Sequence, residues 1–185
     1  MKKTVLTFGI ISGVVATVLM WSTMLIMDRV GFDRGYLLGY TGIVLSFLLV
    51  FFGIRSYREN VGAGSITFGR AFAVGILITV ISSVMYVISW EILYHTFMSD
   101  FLTKFTAYSL DKLKASGATP EVIAQKTKEM DQMKAIFANP IYRYLMVFIE
   151  PFPVGLLITL ISSAILRKSP SGSVAPTTTA RMASQ

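Results

Sequence analysis

Four apolar stretches, Thr4–Met27, Tyr36–Ile54, Ala71–Trp90 and Ile141–Leu166, constrain this chain more than any other feature. Each reaches the roughly 20 residues that a helix needs to cross the hydrocarbon core of a bilayer. Backbone polar groups find no water there, so a spanning segment must pair them internally, which for single runs means α-helix. Packed as a soluble domain, four such helices would leave almost no polar shell. Only 15% of the 185 residues are charged and the mean hydropathy is +0.64, whereas soluble domains carry about a quarter charged residues. The expected fold is therefore all-α, a polytopic membrane protein with four transmembrane helices. The membrane domain is expected over residues 1–168, with spans near 4–27, 36–54, 68–90 and 141–166. Residues 169–185, rich in Ser, Thr, Pro and Ala, are expected to form a disordered tail.

Lys2 and Lys3 resemble the start of a signal peptide, but the apolar run after them exceeds the 7–15 residues of an h-region and no A-x-A-like site follows. The first segment is read as a retained helix. Cysteine is absent, which excludes disulfides and any Cys-based metal or nucleophile chemistry.

Charge sets the expected orientation. Four crossings put both termini on one side, with Lys2, Lys3, Arg55, Arg58, Arg70, Arg167, Lys168 and Arg181 against Glu59 alone. On the other side nine basic residues face eight acidic ones, mostly within the long 91–140 segment. Lys and Arg in short loops stay cytoplasmic, so both termini are expected there. The formal charge of +7 thus reads as a topology signal, and no clustered basic face points to nucleic acid. Tyr36, Tyr40, Tyr86, Trp90, Tyr94, Tyr142 and Tyr144 all fall near the outer ends, where interfacial anchors belong.

Residues 91–140 show two helical periods: Phe97, Phe101, Phe105 and Tyr108, then Ile123, Thr127, Met130, Met133 and Phe137. Between them, Thr119 is a natural N-cap, with Pro120 at the first helical position and Glu121 in the first turn. An extracytoplasmic helical hairpin between the third and fourth spans is expected, its aromatic stripe laid on the membrane surface or the bundle.

One apolar phrase occurs twice: VGILITVISS at Val74–Ser83 and VGLLITLISS at Val154–Ser163. The likeness extends to Phe68 with Phe148 and Phe72 with Phe152. An inverted pair of homologous helices is one explanation. The plainer one is packing, because small residues recur at four-residue spacing: Gly75-Thr79-Ser83, Gly155-Thr159-Ser163, Gly9-Gly13-Thr17 and Gly35-Gly39. Such faces let helix backbones approach closely and offer hydroxyls across the contact.

Glu150 is the one acidic residue inside an apolar span, and Pro151 and Pro153 follow it directly. Each proline lacks an N–H, so the carbonyls of Val147 and Ile149 lose their usual donors. An ionisable group at such depth is a functional candidate by default, for a proton, a cation or a polar substrate group. The alternative is a structural strut that hydrogen-bonds a neighbouring helix and fixes a kink. Arg143 on the same helix face, and Tyr40, Tyr86 or Ser89 from other helices, are the expected partners. Arg70 is read as snorkelling to the headgroups. His95 lies four residues after Glu91, but no third ligand completes a metal site. No G-x-S-x-G, P-loop, H-E-x-x-H or dinucleotide fingerprint is present, and the chain is read as non-enzymatic and without cofactor.

Three blocks carry a family resemblance: FGIRSYRENVGAGSITFGRAF at Phe52–Phe72, LDKLKASGATPEVIAQKTKEM at Leu110–Met130 and FANPIYRYLMVFIEPFPVGLLITLISSAIL at Phe137–Leu166. Together they resemble the uncharacterised four-helix family of the bacterial inner membrane catalogued as domain of unknown function 4199. The resemblance implies four spans with a hairpin between the third and fourth, and brings no activity, substrate or cofactor. It marks Glu150, Pro153 and Gly155 as characteristic, with Pro151 less expected in the pattern. Beyond the lipid bilayer itself, the expected partner is another membrane protein or a second copy of the chain. Two functions follow: a non-enzymatic accessory or interaction protein, or a small transporter or channel component using Glu150.

Overall fold

Helix follows helix along this chain because little but Gly and Pro interrupts its apolar runs. The computed structural model describes residues 1–97 and 100–168, without the side chains of Asp28 and Phe97. The tail expected to be disordered lies outside the described residues. Among them are seven helices: α1 (Lys2–Val30), α2 (Phe32–Asn60), α3 (Phe68–Phe97), α4 (Phe101–Ala115), α5 (Pro120–Ala138), α6 (Pro140–Ile149) and α7 (Phe152–Leu166). Four stretches are long and apolar enough to cross a membrane: Lys2–Met27, Phe32–Asn60, Phe68–Thr96 and Pro140–Leu166, the last made of α6 and α7. The fold is all-helical, with no strands among the described residues beyond a lone Ile66–Lys168 bridge.

The turn between α1 and α2 is the single residue Gly31, at φ 78°, a conformation that a side chain would strain. The third helix corrects an expected boundary. It runs on to Phe97 rather than stopping at Trp90, so Glu91, Tyr94 and His95 remain on α3. The apolar run ends at Trp90, but EILYHTF contains no Gly or Pro, and nothing obliges the helix to stop with the hydropathy.

Helices α4 and α5 meet around Gly117, at φ 76°. Thr119 stands at the N-cap of α5, yet its side chain makes no cap bond. The Thr119 hydroxyl instead favours the ionised Glu121 carboxylate and holds that group below its usual range. Phe101, Phe105 and Tyr108 lie on the Phe32 ring at the start of α2, with centroids 6.1, 5.7 and 4.9 Å away. Phe97, expected in the same stripe, has its side chain outside the described residues. Lys112 of α4 donates to both Asp33 oxygens of α2, at 2.8 and 2.6 Å. That bond moves the Lys112 pKa up.

α1 packs against α2 and α3, and α7 against the same pair, so α2 and α3 form the middle of the bundle. Phe47, Val50, Ile54, Val74 and Ile78 are fully buried there. Lipid-facing positions such as Leu25, Leu37, Leu157 and Ile165 are left exposed, as expected of helices solvated by acyl chains.

Candidate functional site

The fourth span bends where Glu150 stands. Pro151 and Pro153 cannot return hydrogen bonds to the preceding turn, and the chain passes from α6 to α7 across Glu150 and Pro151. Both keep helical dihedrals, φ −65° ψ −57° and φ −81° ψ −28°, so the axis kinks without unravelling. The ladder resumes when the Gly155 N–H donates to the Pro151 carbonyl at 3.0 Å.

The half-buried Glu150 carboxyl points into a cavity of about 640 Å³ that draws its walls from α1 to α7. Tyr86 donates its hydroxyl to Glu150 Oε2 at 3.4 Å. Tyr36 and Tyr40, both roughly half exposed, stand on the α2 wall, and Pro153 on the α7 wall. Of the partners expected for Glu150, the structure therefore brings Tyr86 into contact and Tyr40 into the same cavity. The other two are engaged elsewhere. Ser89 accepts the Trp21 indole N–H at 2.9 Å.

Arg143 forms a cluster of its own. Its Nε donates to Glu91 Oε2 at 2.9 Å, its Nη2 pairs with Glu91 Oε1, and its Nη1 donates to the Phe137 carbonyl at 2.6 Å. His95 Nε2 lies 2.9 Å from Glu91 Oε1, and the guanidinium sits over the Tyr94 ring at 5.1 Å. Arg143 and Glu150 are seven residues and thus about 10 Å apart along the axis, whereas Glu91 faces Arg143 across the α3–α6 contact. A fork that matches a carboxylate takes the nearer partner. Among the described residues no group of three or more His, Cys, Asp or Glu gathers to hold a metal.

The cavity wall is mostly apolar. Met20, Met24 and Met27 come from α1, Met133 from α5 and Met146 from α6, with Phe32, Trp90, Phe101, Phe105 and Phe137 among the aromatic surfaces. No lysine, arginine or histidine is among the described residues that line it. Unbranched, polarisable methionines accommodate guests of varied shape, so the arrangement suits an apolar body with one polar group set against Glu150 and the tyrosines.

A family model described as a protein of unknown function, DUF4199, matches residues 7–168. The chain belongs to this family. The DUF4199 match covers the first span from residue 7 onward, the other three spans in full, the α4–α5 pair and every residue of the cavity and the Arg143 cluster named above, and its description assigns no activity. Neither the curated proteins nor the solved structures compared with the chain gave a match.

The two copies of the apolar phrase lie against each other in this DUF4199 bundle. A Cβ on Gly75 would stand 2.7 Å from Thr159 Cγ2, and one on Gly155 would stand 2.4 Å from Thr79 Cγ2. The two copies thus meet each other, glycine to threonine in both directions, with the Thr79 and Thr159 hydroxyls 3.1 Å apart between them. Thr79 also reaches the Gly155 carbonyl at 3.4 Å. Even the flanking rings repeat: Phe68 stacks on Phe72 and Phe148 on Phe152. Ser163 turns back to the Thr159 carbonyl, while the buried Ser83 hydroxyl has no partner among the described residues.

On α1, Gly9 and Gly13 admit Ile81 and Met85 of α3. Gly39 does something else. Nothing lies within 4 Å of where its Cβ would be, and it lines the cavity. Its expected role as a packing contact is replaced by open space. The cavity methionines carried a legible trace, Met20, Met24 and Met27 at helical spacing on α1, but only the fold shows that this face looks inward on a void.

Proposed function

We propose that this chain is a non-enzymatic membrane protein that holds a small membrane-soluble guest in the cavity beside Glu150 and serves a membrane partner or a second copy of itself. The supporting observation is the cavity: about 640 Å³, walled by aromatic rings and methionines, with one carboxyl and tyrosine hydroxyls set in it. Pockets of this size with few convergent polar groups are the usual form of small-molecule sites. Gly39→Trp tests it. The side chain starts in open space, so the fold is retained while the indole enters the cavity. Binding of a neutral apolar probe, triphenylmethanol, to the purified full chain is expected to fall to background. Unchanged binding removes the cavity from the reading.

A transporter component is the second reading, favoured by the kink that places Glu150 and the cavity wall at a bend of the fourth span. For either role we propose a bacterial inner-membrane protein with both termini cytoplasmic and the α4–α5 pair as an extracytoplasmic hairpin. The basic short loops support that orientation. With no native cysteine to interfere, Ser116→Cys is expected to react with an impermeant thiol reagent in intact cells, and Asn60→Cys only after permeabilisation. The reverse pattern inverts the topology.

A further inference from the structure

We infer that the guest is a lipophilic organic cation, an ammonium or phosphonium centre carried on an apolar body; this rests on the reading of the cavity as a binding site. Charge complementarity leads to it. Glu150 is the one acidic residue among the described residues lining the cavity, and no basic residue lines it. Arg143, two turns before Glu150 in the same span, is committed to Glu91, the Phe137 carbonyl and the Tyr94 face. Lys112 of α4 is committed to Asp33. Among the described residues, then, Glu150 has one hydrogen-bond donor, Tyr86, at the long distance of 3.4 Å. A carboxylate so poorly satisfied in an apolar setting is stabilised by a positive charge that the ligand brings.

The walls select what kind of charge. Tyr36, Tyr40, Tyr86 and Trp90 line the same space, and aromatic rings attract organic cations, most strongly where water is excluded. A bare metal ion would need several oxygen ligands, against one carboxylate and the phenols here. A zwitterionic phospholipid headgroup is disfavoured as well, because no Lys, Arg or His stands in the wall to receive its phosphate.

The test uses two ions of the same shape and opposite charge. Tetraphenylphosphonium, tetraphenylborate and neutral triphenylmethanol are titrated into the full chain in an uncharged detergent, with Gly39→Trp as the background. Tetraphenylphosphonium is expected to bind at least about tenfold tighter than tetraphenylborate, a difference of about 1.4 kcal/mol. Glu150→Gln is expected to erase that preference and leave triphenylmethanol binding within about twofold. If Glu150→Gln does not fold, the wild-type contrast between the two ions decides alone. Equal affinities for the ions, or a preference that survives Glu150→Gln, overturns the cation assignment while triphenylmethanol binding keeps the cavity reading alive. No probe binding above the Gly39→Trp background overturns both.

Discussion

The two halves of the bundle differ in what becomes of the space a glycine leaves. In the half nearer the N-terminus of α1, glycine removes a side chain so that a neighbour fills the place: Thr159 over Gly75, Thr79 and Phe47 over Gly155, Ile78 and Phe8 over Gly53. Ser12 joins Ser82 and the Ser46 carbonyl across three helices there, at 3.1 and 2.8 Å. In the half nearer α4 and α5, Met27 still fills the place of a side chain on Gly35, but at Gly39 a side chain is removed and nothing fills the place. That half is held by polar ties at its edge, Arg143 with Glu91 and Lys112 with Asp33. Lipid tails are as apolar as leucine, so burial alone does not drive helices together in a bilayer, and close backbone approach has to. A bundle can afford a cavity at one end when the other end is packed this tightly.

The comparison is tested hardest at the reciprocal contact. Gly155→Leu drives a branched side chain into Thr79 Cγ2 and the Phe47 ring, 2.4 and 2.9 Å from its first carbon. Thr79 is β-branched and has little rotamer freedom with which to yield. Extra methylenes in a close-packed core typically cost about 1–3 kcal/mol or more, and here several are added at once. Monodisperse protein in mild detergent is expected to be lost, and Gly75→Leu, facing Thr159 Cγ2 at 2.7 Å, should behave likewise. Leu157→Ile, on an exposed position, is the control that stays folded. Full recovery of Gly155→Leu by size-exclusion chromatography would mean that the tight half is not tight.

Removing the guanidinium probes how the open half is held. Arg143→Leu leaves the Glu91 carboxylate, 19% exposed, with His95 as its remaining partner among the described residues. Breaking one side of a buried pair costs about 3–5 kcal/mol, and the residual exposure of Glu91 places this case at the low end. Adding Glu91→Leu removes the stranded charge, so the double variant should recover most of the loss in a denaturant titration. A single variant as stable as wild type would show that the ties at the edge do not hold the open half.

Thr79→Val separates closeness from hydrogen bonding within the tight half. The methyl against Gly155 is retained while the hydroxyl that meets Thr159 and the Gly155 carbonyl is lost. Interhelical hydrogen bonds in a membrane protein average about 0.6 kcal/mol, and a loss of that order is expected in the same titration. A loss rivalling Arg143→Leu would make the hydroxyls, not the close approach, the source of the tightness.

What was legible beforehand divides along physical lines. Hydropathy is a local property, so the four spans could be read directly, and the four-residue spacing of Gly75 with Thr79 put them on one helix face before any partner was known. Helix ends were less legible, because α3 outlasts its apolar run by seven residues to Phe97. Partners were least legible. Gly39 and Gly155 belong to small-residue ladders of the same kind, and Arg143 shares a face with Glu150. Which glycine is filled, and which carboxylate an arginine finds, depend on helices distant in sequence. The cavity is a property of the assembled bundle, and no segment of the chain encodes it alone.

The finest test applies one substitution to both halves. Alanine adds a single carbon. At Gly155 that carbon stands 2.4 Å from Thr79 Cγ2, so the α3–α7 contact must spread and stability falls. At Gly39, inside α2 with no atom within 4 Å of the new carbon, there is nothing to displace. The backbone is ordinary helix there, and Gly→Ala at a compatible position restricts the unfolded chain and stabilises by about 0.4–1 kcal/mol. Gly39→Ala is therefore expected to raise the melting temperature slightly while Gly155→Ala lowers it. The same methyl group should change sign over a distance of a few turns. Two shifts of equal sign in a thermal melt of the purified chain would erase the distinction between a filled glycine and an open one.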